Sequence, residues 1–91
     1  MQKNINFGEE FEDFKVAATT AQQTVTFVGG KVIAFRIYAK DVAIQYTMDT
    51  DIVAASMELK SGAERREDIL CADVRVKTLA GSGTVYVRAW R

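Results

Sequence analysis

Hydrophobic and polar positions alternate with a period of two over most of this chain, most clearly near its carboxyl end. Val74 and Val76 alternate with Arg75 and Lys77; beyond Leu79-Ala-Gly-Ser-Gly83, Val85, Val87 and Ala89 alternate with Tyr86, Arg88 and Trp90. Successive side chains of a strand point to opposite faces, so the pattern predicts a β-hairpin from Ala72 to Trp90. Its valines face inward and its cations and rings face outward. Thr24 to Val28 and Lys31 to Tyr38 flank Gly29-Gly30 and read as a second hairpin, since glycines accept the positive φ of a tight reversal. After a turn at Lys40-Asp41, Val42, Ile44, Tyr46 and Met48 alternate with Ala43, Gln45 and Thr47. Asp49-Thr-Asp51 is turn chemistry, and Val53, Ala55, Met57 and Leu59 form the expected returning face.

Two segments admit competing readings. Phe7, Phe11 and Phe14 fall at i, i+4 and i+7 with Glu9, Glu10, Glu12 and Asp13 between them. That spacing predicts an N-terminal arm with a helical turn over residues 1–12, aromatics on one side and acids on the other, then a strand from about Asp13 to Thr19. The alternative starts a strand on Phe14, Val16 and Ala18. Ser61-Gly-Ala-Glu64 matches a capping box, yet Lys60 to Ala63 also suits a turn, and Ile69 and Leu70 have no helical partners before them. A turn followed by an edge strand is the preferred reading of Ser61 to Leu70, ahead of a short helix. Reversals at short spacing without a long helical pattern predict one all-β domain over residues 1–91: an antiparallel β-sandwich, jelly-roll or Ig-like, of about 7–8 short strands, with a small barrel as the alternative.

Composition changes the picture mainly by exclusion. Hydrophobic residues make up 48% and charged residues 26% of the 91, a globular balance. Lys plus Arg and Asp plus Glu number 12 each, so the net charge is zero and no long-range attraction to nucleic acid or anionic membrane is expected. Near-zero charge also leaves little repulsion between copies. There is no His, the usual general base and commonest metal ligand, and the single Cys71 has no partner for an internal disulfide. No apolar run approaches the roughly 20 residues of a membrane span, and Met1-Gln-Lys-Asn-Ile does not open like a signal peptide.

The residues that carry chemistry point to contact and not to catalysis. If the central and C-terminal strands share one sheet, Arg36 and Tyr38 join Arg75, Lys77, Tyr86, Arg88 and Trp90 on a basic-aromatic face. Guanidinium groups beside rings stack on bases or sugars, or pack against another protein surface. Alternatively such a face is ordinary surface whose long side chains cover apolar neighbours. The acidic-aromatic segment Phe7, Glu9, Glu10, Phe11, Glu12, Asp13 and Phe14 is complementary to it; it either docks on a neighbouring copy or folds back on its own domain. Asp41, Asp49 and Asp51 lack the glycine and distal Glu of a calcium loop and read as turn formers. Glu64, Glu67 and Asp68 lie among Arg65 and Arg66, a solvated charge run, and Cys71 reads as a small buried hydrophobe. No nucleophile–base pair can be assembled, Gly81-Ser-Gly83 opens no helix, and neither enzyme activity, cofactor nor metal is expected.

The order of features in Val32 to Arg91 resembles a known group. A central strand Val32 to Tyr38 precedes a strand–turn–strand with Asp residues, then Leu59-Lys-Ser-Gly-Ala-Glu64, Glu67-Asp-Ile-Leu70 and a closing Gly81-Ser-Gly-Thr-Val-Tyr-Val-Arg-Ala-Trp90. This resembles the small all-β virion accessory and structural proteins of tailed phages and prophages. The resemblance implies a non-enzymatic virion component, made in the bacterial cytoplasm, that assembles as a homo-oligomer or with other virion proteins. The alternative of another class is a monomeric module that binds polysaccharide or single-stranded nucleic acid through the basic-aromatic face.

Overall fold

Period-two alternation becomes eight strands in the structure, a computed structural model that describes residues 11–91. They are β1 (Phe11–Ala18), β2 (Gln23–Thr26), β3 (Ala34–Ala39), β4 (Ile44–Met48), β5 (Met57–Leu59), β6 (Glu64–Glu67), β7 (Asp73–Thr78) and β8 (Gly83–Trp90). Two four-stranded antiparallel sheets form, in the orders β1-β8-β3-β6 and β2-β7-β4-β5. Strands that pair include β1 with β8, β2 with β7, β3 with β6 and β4 with β5. One long hairpin wound on itself pairs first with last in this way, which is the jelly-roll order. The sandwich expectation holds, in its jelly-roll form and not as an Ig-like domain or a barrel.

The alternating valines point inward as expected. Val74 and Val76 come from one sheet and Val85 and Val87 from the other, all fully or almost fully buried with Phe35, Ile37, Ile44 and Tyr46. Each such side chain contributes about 1.5–3 kcal/mol by leaving water. Phe35 meets Tyr46 edge to face across the core, with centroids 6.3 Å apart. Phe14 packs against the rim of that core and meets Phe27 at 5.9 Å.

Both predicted glycine hairpins are corrected. Asp73–Thr78 and Gly83–Trp90 do not pair with each other; the loop between them carries the chain from one sheet to the other. Gln23–Thr26 and Ala34–Ala39 likewise belong to different sheets. A tight turn at Gly30 does form, with φ 99° and its amide donating to the Phe27 carbonyl at 3.2 Å. It reverses the chain between sheets, because both flanking strands find better-matched partners far along the sequence.

The remaining segments divide. Ser61 to Leu70 is a turn plus an edge strand, as preferred. Val53 and Ala55 are not in a strand; β5 begins only at Met57. The strand expected from about Asp13 to Thr19 forms as β1, but it starts at Phe11, so the part of the expected helical turn at Phe11 and Glu12 is strand; Phe11 lies outside and Phe14 against the core. Phe7, Glu9 and Glu10 lie outside the described residues.

Candidate contact face

Register on the outer side of the β1-β8-β3-β6 sheet decides which side chains meet. Asp13 lies opposite Arg88, Arg88 opposite Arg36, and Arg36 opposite Arg66. The next row runs Lys15, Tyr86, Tyr38, Glu64, and the row on the other side runs Phe11, Trp90, Ala34. Alternation within each strand turns all of these to the outer side, where all but the buried Ala34 reach solvent, since their neighbours Val85, Val87, Ala89, Phe35 and Ile37 are in the core.

Arginines placed directly opposite one another repel, and like charges across a ladder destabilise it. Each therefore has a carboxylate of its own. Arg88 grips Asp13 through two bonds of 2.6 and 2.8 Å, Arg36 pairs with Glu64 at 3.1 Å, and Arg66 with Asp68 at 2.9 Å. The Arg88 hydrogen bond holds the Asp13 carboxyl below its usual range, and Asp13 in turn pushes the Arg88 guanidinium further up. Exposed pairs of this kind contribute little to stability but fix where long side chains lie.

Rings hold the guanidinium groups from the other side. Arg66 and Arg36 lie 4.9 and 5.7 Å from the centre of Trp90, and Arg88 lies 4.8 Å from the centre of Phe11. These are cation–π distances. Tyr38 and Tyr86 run nearly parallel, 16° apart with centroids separated by 6.2 Å, forming a two-ring platform. Between the platform and the Asp13–Arg88 pair is an open groove of about 470 Å³.

The sequence placed Arg36, Tyr38, Tyr86, Arg88 and Trp90 correctly on one face. Arg75 and Lys77 are corrections: β7 belongs to the opposite sheet, so they stand on the far side of the molecule. Arg75 there bonds Asp73 at 3.1 Å and Asp51 at 2.7 Å. Lys15, Glu64 and Arg66 belong to the face and escaped the sequence reading. Only the non-local pairing of β1 with β8 and of β6 with β3 brings them there.

The acidic segment, as far as it is described, folds back on its own domain. Phe11 to Phe14 pair with Val87 to Trp90 of the same chain. Glu12 points to the other side, accepts the Val28 and Gly29 amides at 2.9 and 3.1 Å, and is ion-paired with Arg91. Burial alone would raise the Glu12 carboxyl, but Arg91 and the two amides outweigh it and hold it low.

The two outer faces differ in cover. Over the β2-β7-β4-β5 sheet the segment 49–56 folds back as a lid. Gln45 Nε2 reaches the carbonyls of Val53, Ala54 and Ser56 at 3.2–3.4 Å, and the Gln22 side-chain Oε1 accepts the Ile52 amide at 2.7 Å. Asp51, held low by Gln22 and then by Arg75, ties the same segment down. No described segment crosses the face that carries Trp90.

The other candidates have structural partners. Asp41 accepts the Thr84 amide at 2.8 Å, and Asp49 accepts the amides of Ala72 and Asp73 at 2.8 and 3.0 Å. Cys71 is fully buried; desolvation, then Asp49 and Asp73, push its thiol up to about 11. A thiol so raised is protonated and inert at neutral pH. Among the described residues no three metal-ligating side chains converge. No family model, curated protein or solved structure matches the chain.

Proposed function

We propose that this chain is a non-enzymatic structural protein that works through contact between copies, made by the outer face of the β1-β8-β3-β6 sheet, and that its setting is the virion of a tailed phage. One observation carries the reading. Of the two outer faces, one is partly covered by the protein's own 49–56 segment, while the other presents Trp90, Tyr38, Tyr86 and two rows that carry charges, with no described segment over them. Arg, Tyr and Trp are the residues that dominate buried protein contacts.

Charge supports a second copy as the occupant. Lys15, Arg36, Arg66 and Arg88 share the face with Asp13, Glu64 and Asp68, so it carries both signs and can complement itself about a two-fold axis. The virion setting is supported by the resemblance over Val32 to Arg91 and by the use of jelly rolls in viral coats. The test is the solution mass of the wild-type chain and of an Arg66→Ala/Trp90→Ala variant. A multi-chain particle that loses mass in the variant is expected; an unchanged mass removes the face from the contact.

A second reading rests on the Tyr38–Tyr86 platform beside the groove, which suits a sugar ring. It favours a glycan over nucleic acid, because Arg36, Arg66 and Arg88 already hold carboxylates that phosphates would have to displace. Tyr38→Ala would then abolish oligosaccharide binding with the mass unchanged.

A further inference from the structure

The sandwich has four edges, and one of them is unlike the rest. β2, β5 and β6 end their sheets as strands of 4, 3 and 4 residues, whereas β1 ends its sheet with 8. Short edge strands are the usual protection against pairing with another chain, and proline is another. The chain has no proline at all. Thus β1 is a long edge with neither device, whose only edge protections are its charges: Lys15 and Asp13 outward and Glu12 inward.

The sequence of β1 also matches itself. Set antiparallel about a two-fold axis through Phe14, Phe11–Ala18 places Asp13 opposite Lys15 of the second copy and Lys15 opposite its Asp13. Phe11 meets Ala17 on the same outer side, and Glu12 meets Val16 on the inner side, so every residue keeps its face. Opposite charges directly across a ladder stabilise it. Within its own chain Lys15, like the other described lysines, has no ion-pair partner among the described residues. Phe14 and Val16 are only partly buried against the core rim, and a neighbour at this edge would complete their burial.

We propose that β1 pairs edge to edge with β1 of a second copy, in the register that joins Asp13 to Lys15 twice. The result is a continuous eight-stranded sheet that merges the two basic-aromatic faces into one. This contact shares with the function proposed above the premise that copies meet, but it is made along the backbone edge of β1, with Asp13 and Lys15 at the margin of the face.

Charge reversal tests it. Lys15→Glu sets two carboxylates against each other at both crossings, and Asp13→Lys sets two cations; each variant alone is expected to halve the particle mass in sedimentation equilibrium. Mixing the two variants in equal amounts recreates opposite charges at both crossings and is expected to restore the wild-type mass. Unfolding midpoints of the separate variants confirm that each is folded. Unchanged mass in both variants, or a reduced mass that mixing does not restore, overturns the edge pairing. Loss of mass in Arg66→Ala/Trp90→Ala but not in the charge reversals keeps the face contact and rejects the edge. The converse keeps the edge and rejects the face, and a monomeric wild type rejects both.

Discussion

Tyr46 donates its hydroxyl to Glu67 at 2.5 Å, joining β4, an inner strand of one sheet, to β6, an edge strand of the other. The ring is fully buried against Phe35, and Glu67 lies on the inner side of β6, so the bond closes the sandwich from within.

Burial, and then the Glu67 carboxylate, push the Tyr46 hydroxyl above its ordinary value. A group whose folded pKa exceeds its unfolded one stabilises the fold below the unfolded pKa and loses that contribution as pH rises through the folded one. Cys71 behaves alike, its contribution fading between the ordinary thiol range and about 11. Stability is therefore expected to fall from about pH 9 for Cys71 and from about pH 10 for Tyr46. Tyr46→Phe should cost about 1–2 kcal/mol at neutral pH. It should also flatten the decline above pH 10, read from urea unfolding at a series of pH values.

Gly83 opens β8 with no room for a side chain. A Cβ there would stand 2.5 Å from Asp41 Oδ1 and from Val42 Cγ1. Asp41 cannot retreat without releasing the Thr84 amide. Gly83→Ala is expected to destabilise the fold by about 1–3 kcal/mol through overpacking. Gly81→Ala, in open space but at φ 72°, tests backbone strain alone and should cost less. Thermal unfolding of both variants gives the comparison.

Gln45 is the buried polar residue that anchors the 49–56 segment over its sheet. Gln45→Met keeps the volume and removes the amide donors. Protease is expected to cut between residues 49 and 56 faster in the variant, with the particle mass unchanged. An unaltered cleavage rate would mean that Gln22, Asp51 and Arg75 hold the segment without it.

Strand identity was legible because alternation is a local property: Val74, Val76, Val85 and Val87 point inward whichever sheet they join. Pairing was not. Among the described strands the only neighbours in sequence that pair are β4 and β5, and the glycine turns at Gly30 and Gly81 look locally like hairpin turns while they carry the chain between sheets. The same cause split the contact face. Arg75 and Lys77 share a pattern with Arg88 and Trp90 but not a sheet. Arg66 sits in a run of charges that has no period of its own and reaches Trp90 only because β6 pairs with β3. The Phe11–Phe14 spacing fits a helix as sequence, yet the β8 edge gives that segment a ladder of partners, and tertiary pairing overrides spacing.

Trp90 is the single tryptophan of the chain and stands on the proposed contact face, within cation–π distance of Arg36 and Arg66. Its fluorescence therefore reports on that face alone. Acrylamide quenching of Trp90 across a dilution series, with particle mass followed in parallel, is the most direct measurement. Quenching that rises as the particles dissociate is the predicted result. Constant quenching while the mass falls would place the contact elsewhere and contradict the account.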